Sequence, residues 1–335
     1  MSPARGARKI MTPPLRIGVI GCADIAVRRL LPAMAAAPGV VPVAVASRSA
    51  ERAAETARAF GCRPVHGYAG LLAADDVDAV YVPLPAALHA EWVERALLAG
   101  KHVLAEKPLT LSSERTAELF ALARSRGLVL MENVMFVHHG QHAAVRALVS
   151  GGAIGELRAF HAAFTIPRLA PGDIRYDADL GGGALWDVGV YPVRAALHFL
   201  GPDLTVVGSM LSSGRVTGVD TLGAALLRTP DGVAAHLTFG LEHAYVSTYT
   251  LHGGEGRITV DRAFTPPADH RPRVRVERRS GVEEPPLDAE DQVVATVTAF
   301  ARAVAAGTCD GAASLRQAEL LDELRDAAAL TTRRS

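Results

Sequence analysis

The stretch Leu15–Ala26, LRIGVIGCADIA, decides the fold. A mostly apolar run ends at Gly21, and small residues stand at positions 23 and 26 before a helix-forming segment. Against the spacing G-x-G-x-x-G/A, the turn matches as Gly21, Ala23 and Ala26. The first position permits a tight turn, the second lets backbone approach a pyrophosphate, and the third lets a helix pack on the strand. Ala23 departs from glycine, and its methyl narrows the gap left for phosphate. Cys22, Asp24 and Ile25 complete the turn and join Gly21 and Ala23 as expected cofactor contacts. The context is the one the motif requires: a strand before, a helix after, and a second strand, Val41–Ala46, ending about 20 residues on. That strand leads into Ser47-Arg48-Ser49, with no carboxylate before Glu51. An NAD enzyme usually places Asp or Glu there for the ribose 2′-OH, whereas a guanidinium and a serine hydroxyl suit a 2′-phosphate. Ser47 and Arg48 therefore point to NADP(H).

Outward from this turn the alternation continues. Helices are expected over Asp24–Ala37, Ala50–Phe60, Ala87–Ala99 and Ser113–Arg126, and strands over Asp78–Val82, His102–Ala105 and Leu128–Met131. Strands separated by helices of ten or more residues indicate βαβ units and a doubly wound parallel sheet over residues 15–133. Residues 1–14 read as a flexible tail. Beyond 133 the rhythm changes. A helix over His139–Ser150 precedes a long strand, Leu157–Thr165, and a helix over Gly183–Leu200. Strand-like runs (LTVVGSML, AAHLTFG, VSTYTLHG, RITVD) then dominate, before closing helices at Ala289–Ala306 and Ser314–Thr331. Residues 134–335 thus read as an α+β domain with an open mixed sheet, for substrate binding and oligomerisation.

The composition excludes several function classes. With 35 Lys+Arg against 35 Asp+Glu the formal net charge is zero, which argues against nucleic-acid binding by bulk electrostatics and against a polybasic membrane anchor. Apolar residues make up 49% of the chain, enough for buried cores, yet no apolar run reaches the roughly 20 residues that span a bilayer. The start of the chain has no apolar stretch of the signal-peptide kind. Cys22, Cys62 and Cys309, odd in number and far apart, suit a reducing cytoplasm and suggest neither a disulfide framework nor a metal site.

The segments GCADIA (21–26), DAVYVPLPAALH (78–89), AEKPLTL (105–111), GAIGELR (152–158) and GGGALWDVGVYPV (181–193) occur in the order seen in the Gfo/Idh/MocA oxidoreductases. The chain resembles that family over nearly its whole length. Within it, Arg28-Arg29 after GCADIA and the segment Ala263–Pro272 are most similar to NDP-hexose 3-ketoreductases of deoxysugar biosynthesis. The resemblance implies a Rossmann domain followed by an α+β domain, with the active site between them. It also implies that Lys107, flanked by Glu106 and Pro108, belongs with Asp187 and Tyr191 to the catalytic set. Pro83, Leu84 and Pro85 lie where the family's cofactor sugar and nicotinamide are held, with Glu106 and His89 alongside. The implied reaction is NADPH-dependent reduction of the C3 ketone of a nucleotide (TDP)-linked 4-keto-deoxyhexose. Oxidation of free sugars or trans-dihydrodiols is the second reading, and a cofactor-bound regulator without turnover is the third.

The residues support this chemistry. Lys107 follows a strand's carboxyl end, where open α/β sheets bind ligands. Asp187 and Tyr191, four apart on one helix, share a face. Hydride transfer to a ketone leaves oxyanion character, which a tyrosine hydroxyl protonates if a nearby ammonium favours its phenolate. Lys107 is expected to lower the Tyr191 pKa and to bond the substrate oxygen. For the substrate's diphosphate, the loop 166–180 offers Arg168 and Arg175, with Tyr176 to stack or hydrogen-bond. His139, in the cluster His138, His139 and His142, is expected to contact substrate, while no carboxylate or cysteine completes a metal set there. His89 reads as structural rather than catalytic, and Arg28-Arg29 as solvated. An open sheet face, with Ala234–Gly240 as a candidate strand, predicts a homodimer or homotetramer.

Overall fold

The apolar run after residue 14 forms strand β1 (Leu15–Ile20), and the computed structural model describes residues 13–213 and 218–332 around it. The strands β2 (Val40–Ser47), β3 (Arg63–His66), β4 (Ala79–Val82), β5 (His102–Glu106) and β6 (Leu130–Asn133) join β1 in one sheet. All pairs are parallel, in the order β3-β2-β1-β4-β5-β6. The order reverses between β1 and β4, so a crevice opens beyond the carboxyl ends of these strands. The helices α1 (Leu31–Ala36), α2 (Ala50–Phe60), α3 (Tyr68–Leu72), α4 (Ala86–Leu98) and α5 (Ser113–Ser125) cover the two faces. Covered on both sides, β4 is buried at every position, which explains its continuous apolar run.

The second half begins with α6 (Gly140–Ser150), β7 (Leu157–Thr165) and α7 (Val190–Leu200). It continues with β8 (Thr205–Ser212), β9 (Leu222–Arg228), β10 (Ala234–Gly240), β11 (Val246–Gly253), β12 (Gly256–Asp261), β13 (Val274–Arg278) and β14 (Gly281–Glu283), and ends with α8 (Gln292–Ala306) and α9 (Ala312–Thr332). The sheet runs β14-β13-β12-β11-β7-β10-β9-β8, with β7 parallel to β10 and antiparallel to β11. One face buries Phe160, Leu237, Phe239, Tyr249 and Leu251 in a core shared with α7 and α9. The opposite face carries His161 between His236 and His252, with ring centroids 4.7 and 4.6 Å apart.

Some elements differ from the sequence reading. Neither β3 nor α3 was expected, because β3 is short, largely exposed and contains Pro64, so no apolar run marks it. The Ala/Leu composition of β9 favours a helix, yet Gly223, Ala225 and Leu227 alternate into the core between two antiparallel partners. The short strands β13 and β14 were also unmarked. The expected first helix opens with a π-type turn at Ala26–Leu30, and the helix expected from Gly183 opens with another at Leu185–Gly189. The expected tail lies almost wholly outside the described residues. Among the described residues no helix is long and apolar enough to cross a membrane.

The two halves interlock. From the far end of the chain, α8 buries Val293, Val297 and Phe300 among Ile17, Val19, Leu31 and Tyr81 of the first sheet's core. At the boundary, Glu132 on β6 accepts bonds from Leu109 N (3.0 Å), Gln317 Nε2 (2.9 Å) and Arg194 Nη2 (3.0 Å). One buried carboxylate therefore joins the turn after Lys107, the helix that carries Tyr191, and α9.

Candidate active site

A cleft of about 1240 Å³ lies beyond the carboxyl ends of β1, β2, β4 and β5 and reaches across to the second half. At its floor the chain turns at Gly21, whose φ of 112° favours glycine. A Cβ there would lie 3.2 Å from Leu84 Cδ2, so the turn is closely packed against the Pro83-Leu84-Pro85 loop. A helix opens directly after the turn, the arrangement that suits a pyrophosphate. Gly21, Cys22, Ala23, Asp24 and Ile25 all line the cleft, as do Ser47 and Arg48 at the end of β2. Ser47 Oγ accepts from Ser49 N, and Ser49 Oγ caps α2 by accepting from Arg52 N. Arg52 donates from Nη2 to Cys22 O at 3.1 Å, which ties α2 to the phosphate turn. Arg28 and Arg29, read as solvated, line the cleft too, and Arg28 pairs with the exposed Asp24. Arg29 and Arg48 have no carboxylate partner among the described residues. A tight glycine turn, a helix start, and an unpaired guanidinium with no carboxylate at the end of β2 together fit a dinucleotide bearing a 2′-phosphate.

Three segments meet over the floor. The Pro83–Pro85 loop leads into α4, where buried His89 places its ring nitrogens 2.6 Å from Leu84 O and 2.7 Å from Pro108 O. His89 lines the cleft, but both ring nitrogens are engaged, so it positions two loops rather than offering a free contact. Glu106 is held by the Tyr81 hydroxyl (2.7 Å) and Asn133 Nδ2 (2.5 Å). Next to it, Lys107 Nζ donates to Asp187 O (2.6 Å) and Asp187 Oδ1 (2.9 Å). The other carboxylate oxygen, Asp187 Oδ2, accepts from Arg175 Nε at 2.8 Å, and Arg175 Nη1 also reaches Asp173 Oδ1 at 3.1 Å. The Lys107 ammonium lies 5.2 Å from the Tyr191 ring centroid, and that ring packs edge-on against Phe164 at 4.7 Å.

The glycines before α7 make this possible. Gly182 N donates to Asp177 O and Gly183 N to Arg175 O, so the loop folds onto itself and delivers Arg175 to Asp187. A Cβ on Gly182 would lie 2.5 Å from Arg175 O. Asp220 Oδ2 accepts from Leu185 N at 2.7 Å and holds the start of the π-type turn that carries Asp187.

Burial alone would raise the Asp187 pKa, but Lys107 and Arg175 outweigh it and hold the carboxyl below its ordinary range. Burial would likewise depress Lys107, but Asp187 and Tyr191 outweigh it and keep the ammonium charged well above its usual range. For Tyr191 the balance is the reverse of the sequence expectation. Burial raises its pKa, the Lys107 charge offsets this only in part, and the net direction is upward. The hydroxyl is therefore held protonated at neutral pH.

Other expected substrate contacts lie elsewhere. His139 is buried and caps α6, its Nδ1 accepting from Gln141 N, and it does not line the cleft. Arg168 pairs with Glu242 outside the cleft, because a carboxylate lies within 3.2 Å of its Nε. Tyr176 packs on the second core, and its hydroxyl accepts from Leu169 N, bracing the loop. Arg175 does line the cleft, but its guanidinium is committed to Asp173 and Asp187. The sequence reading missed Arg52, Trp186, Tyr245 and Thr265, which also line the cleft. Ser49 three residues ahead of Arg52 was a usable cap signal, and Thr265 lies in the Ala263–Pro272 segment that marked the resemblance; Tyr245 reaches the site from a loop that no local pattern marks. Among the described residues no group of three or more His, Cys, Asp or Glu is arranged to hold a metal ion.

Comparisons with known proteins agree with this architecture. Residues 15–134 match the model of an oxidoreductase family with an NAD-binding Rossmann fold, and residues 142–259 match the GFO/IDH/MocA C-terminal domain. The chain is 58% identical to a dTDP-3,4-didehydro-2,6-dideoxy-alpha-D-glucose 3-reductase of Streptomyces violaceoruber, covering 94% of this chain and 96% of the relative. It is 55% identical to an enzyme of the same name from Actinomadura kijaniata, covering 94% and 96%. It also superimposes with a TM-score of 0.91 on a 3-ketoreductase from Actinomadura kijaniata in complex with NADP and TDP-benzene, at 55% identity over 94% of this chain and 98% of that one. With the parallel sheet, the mixed sheet and the cleft between them all in place, the chain belongs to the Gfo/Idh/MocA oxidoreductase family.

Proposed function

We propose that this chain is an NADPH-dependent 3-ketoreductase that reduces the C3 ketone of a dTDP-linked 3,4-didehydro-2,6-dideoxyhexose in deoxysugar biosynthesis. The observation that carries the reading is the meeting of Lys107, Asp187 and Tyr191 in one cleft with the phosphate turn and an unpaired Arg48. Relatives at 55–58% identity that bear this activity in their names support the substrate assignment, and a solved neighbour holding NADP supports the cofactor. Residues 15–133 then bind the dinucleotide, and residues 134–335 bind substrate and assemble the oligomer. We further take the enzyme to work in the cytoplasm and to form a homodimer or homotetramer through the open face of the second sheet, which carries the His161 row.

Bound NADPH supplies the hydride that reduces the carbonyl carbon. The chain's own residues handle the oxygen. Tyr191 donates its hydroxyl proton to the developing alkoxide, and Lys107 stabilises the phenolate left behind. Asp187 holds the ammonium by two contacts, and Arg175 neutralises the second carboxylate oxygen so that Asp187 does not take the proton. Gly21, Ala23 and the helix start hold the pyrophosphate; Ser47 and Arg48 hold the 2′-phosphate.

The test is turnover of a dTDP-linked 3,4-diketo sugar with NADPH, with the Arg48→Asp variant in parallel. Wild type is expected to prefer NADPH. Arg48→Asp should weaken NADPH by roughly 1.5–3 kcal/mol and narrow the gap to NADH. Turnover of free sugars but not of the dTDP-linked ketone would overturn the substrate reading, and an unchanged cofactor preference would remove Arg48 from the site.

A further inference from the structure

The turn that carries Asp187 opens with backbone donors that its own helix leaves without an acceptor, as every helix start does. Gly183 N donates back to Arg175 O, and Asp187 N donates to Gly183 O. Between these two anchors, a single residue from another part of the chain takes the donors. Ala184 N donates to Asp220 O at 2.8 Å, and Leu185 N donates to Asp220 Oδ2 at 2.7 Å. Asp220 stands between β8 and β9, and it is not among the residues that line the cleft.

Its own place is fixed by the second sheet. The next residue, Thr221, donates from N to Ser212 O at the end of β8 and accepts from Leu241 N just past β10, both at 2.9 Å. The carboxylate also meets the turn closely. A Cβ on Gly183 would lie 2.5 Å from Asp220 Oδ1, and Gly183 has a φ of 121°. The third glycine of Gly181–Gly183 thus has a task of its own, which is to admit this carboxylate. Burial raises the Asp220 pKa, and the bond from Leu185 N offsets this only in part. What the amides require at this place is an accepting oxygen rather than a charge.

We propose that Asp220 is a positioning residue for the reduction, which sets where Asp187 and Tyr191 stand against Lys107 without touching substrate or cofactor. This rests on the reading that Tyr191 protonates the reduced ketone. Lys107 Nζ bonds the main-chain oxygen of Asp187 at 2.6 Å as well as its carboxylate, so a shift of the turn moves the ammonium directly. Tyr191 follows four residues later, its ring centroid 5.2 Å from the same ammonium. The phosphate turn and the end of β2 belong to the other sheet and do not depend on this bond. Loss of the bond therefore appears in kcat rather than in KM or NADPH affinity.

Steady-state kinetics with the dTDP-linked ketone and NADPH tests the proposal, with NADPH titration and urea unfolding of each variant alongside. Asp220→Asn keeps an accepting oxygen at the same reach and loses the charge. Asp220→Glu keeps the charge, but its extra methylene drives the carboxylate into Gly183. Asp220→Ala removes the acceptor. The kcat of Asp220→Asn is expected within about threefold of wild type, and those of Asp220→Glu and Asp220→Ala about 10- to 100-fold lower. KM and NADPH affinity should stay within about threefold throughout. Wild-type kcat in Asp220→Ala would overturn the role, as would Asp220→Asn being as slow as Asp220→Glu, or a loss confined to KM. Should Asp220→Ala fail to fold, the contrast between Asp220→Asn and Asp220→Glu decides alone. If wild type itself does not reduce the dTDP-linked ketone, the functional reading fails, and the role of Asp220 falls with it.

Discussion

The hydroxyl of Tyr191 is held protonated by its surroundings. Aromatic neighbours remove water from it, and the Lys107 charge above its ring offsets only part of the resulting upward shift. Because its pKa is raised, the donating form is fully present through neutral pH and is lost only above the ordinary tyrosine range. Asp187, held low, keeps its charge well into acid. The kcat for ketone reduction is therefore expected to be flat from about pH 6 to about pH 9, and to fall on the alkaline side. A pH–rate profile breaking near pH 7 would assign the proton to another group. Tyr191→Phe should lower kcat by about 10²–10⁴ with little change in KM, and steady-state kinetics reads both. That Lys107, Asp187 and Tyr191 meet in one cleft was legible because fixed motifs surround them. Arg168, Tyr176 and His139 do not line the cleft, and the sequence could not say so because a side chain's chemistry does not state its partner. Glu242, Leu169 N and Gln141 N claim them, and only tertiary structure brings the first of these close.

At the level of elements, the segment Gly181–Gly183 with the following π-type turn does for Asp187 what the glycine turn does for the phosphate floor. Gly182 is pinched between Arg175 O and Asp177 O, so any side chain there moves the loop. Gly182→Ala is expected to dislodge Arg175 from Asp187 and to cut kcat/KM by about tenfold or more, since small displacements near reacting groups are costly. Gly172→Ala, with a φ of 84° but nothing within 4 Å of a Cβ, should cost much less. Comparing kcat/KM of the two variants separates a packing effect from backbone strain. Most helices and buried strands of the first half could be read from the sequence because burial on both faces leaves continuous apolar runs. β3 and β9 could not. One is an exposed edge whose pattern carries no signal, and the other is a helix-forming composition overruled by its neighbours. Both π-type turns were invisible, because the spacing of apolar residues around them still satisfies an α-helix.

For the whole molecule, Glu132 is the knot. Its side chain is 1% exposed and that of Arg194 8%, and Arg194 Nε and Nη1 lack partners. So incompletely satisfied a buried pair adds little net stability, yet breaking one side leaves a bare charge. Arg194→Met alone should lower the unfolding free energy by about 3–5 kcal/mol, and adding Glu132→Gln should restore most of it. Urea denaturation measures this. If the pair sets the spacing of Lys107 and Tyr191, the restored double variant should still show a reduced kcat. A double variant with full kcat would make the pair purely structural. Two halves were legible in the sequence, but their interlocking was not, because α8 carries an ordinary amphipathic pattern that does not name the surface it covers. Its position has a consequence for how the protein is made. Chain growth is vectorial, and the strands of the first sheet leave the ribosome long before Val293, Val297 and Phe300 exist. Until then, Ile17, Leu31 and Tyr81 border an unfilled groove. The central strand β7 likewise waits for β10 and β11 to be synthesised before either edge is paired. Only the face of the first sheet under α3, α4 and α5 can close early, since its buried residues all lie between Ile20 and Leu130; the α8 face and the second core stay open until most of the chain has been translated, so the nascent chain carries sticky surface for nearly its whole synthesis.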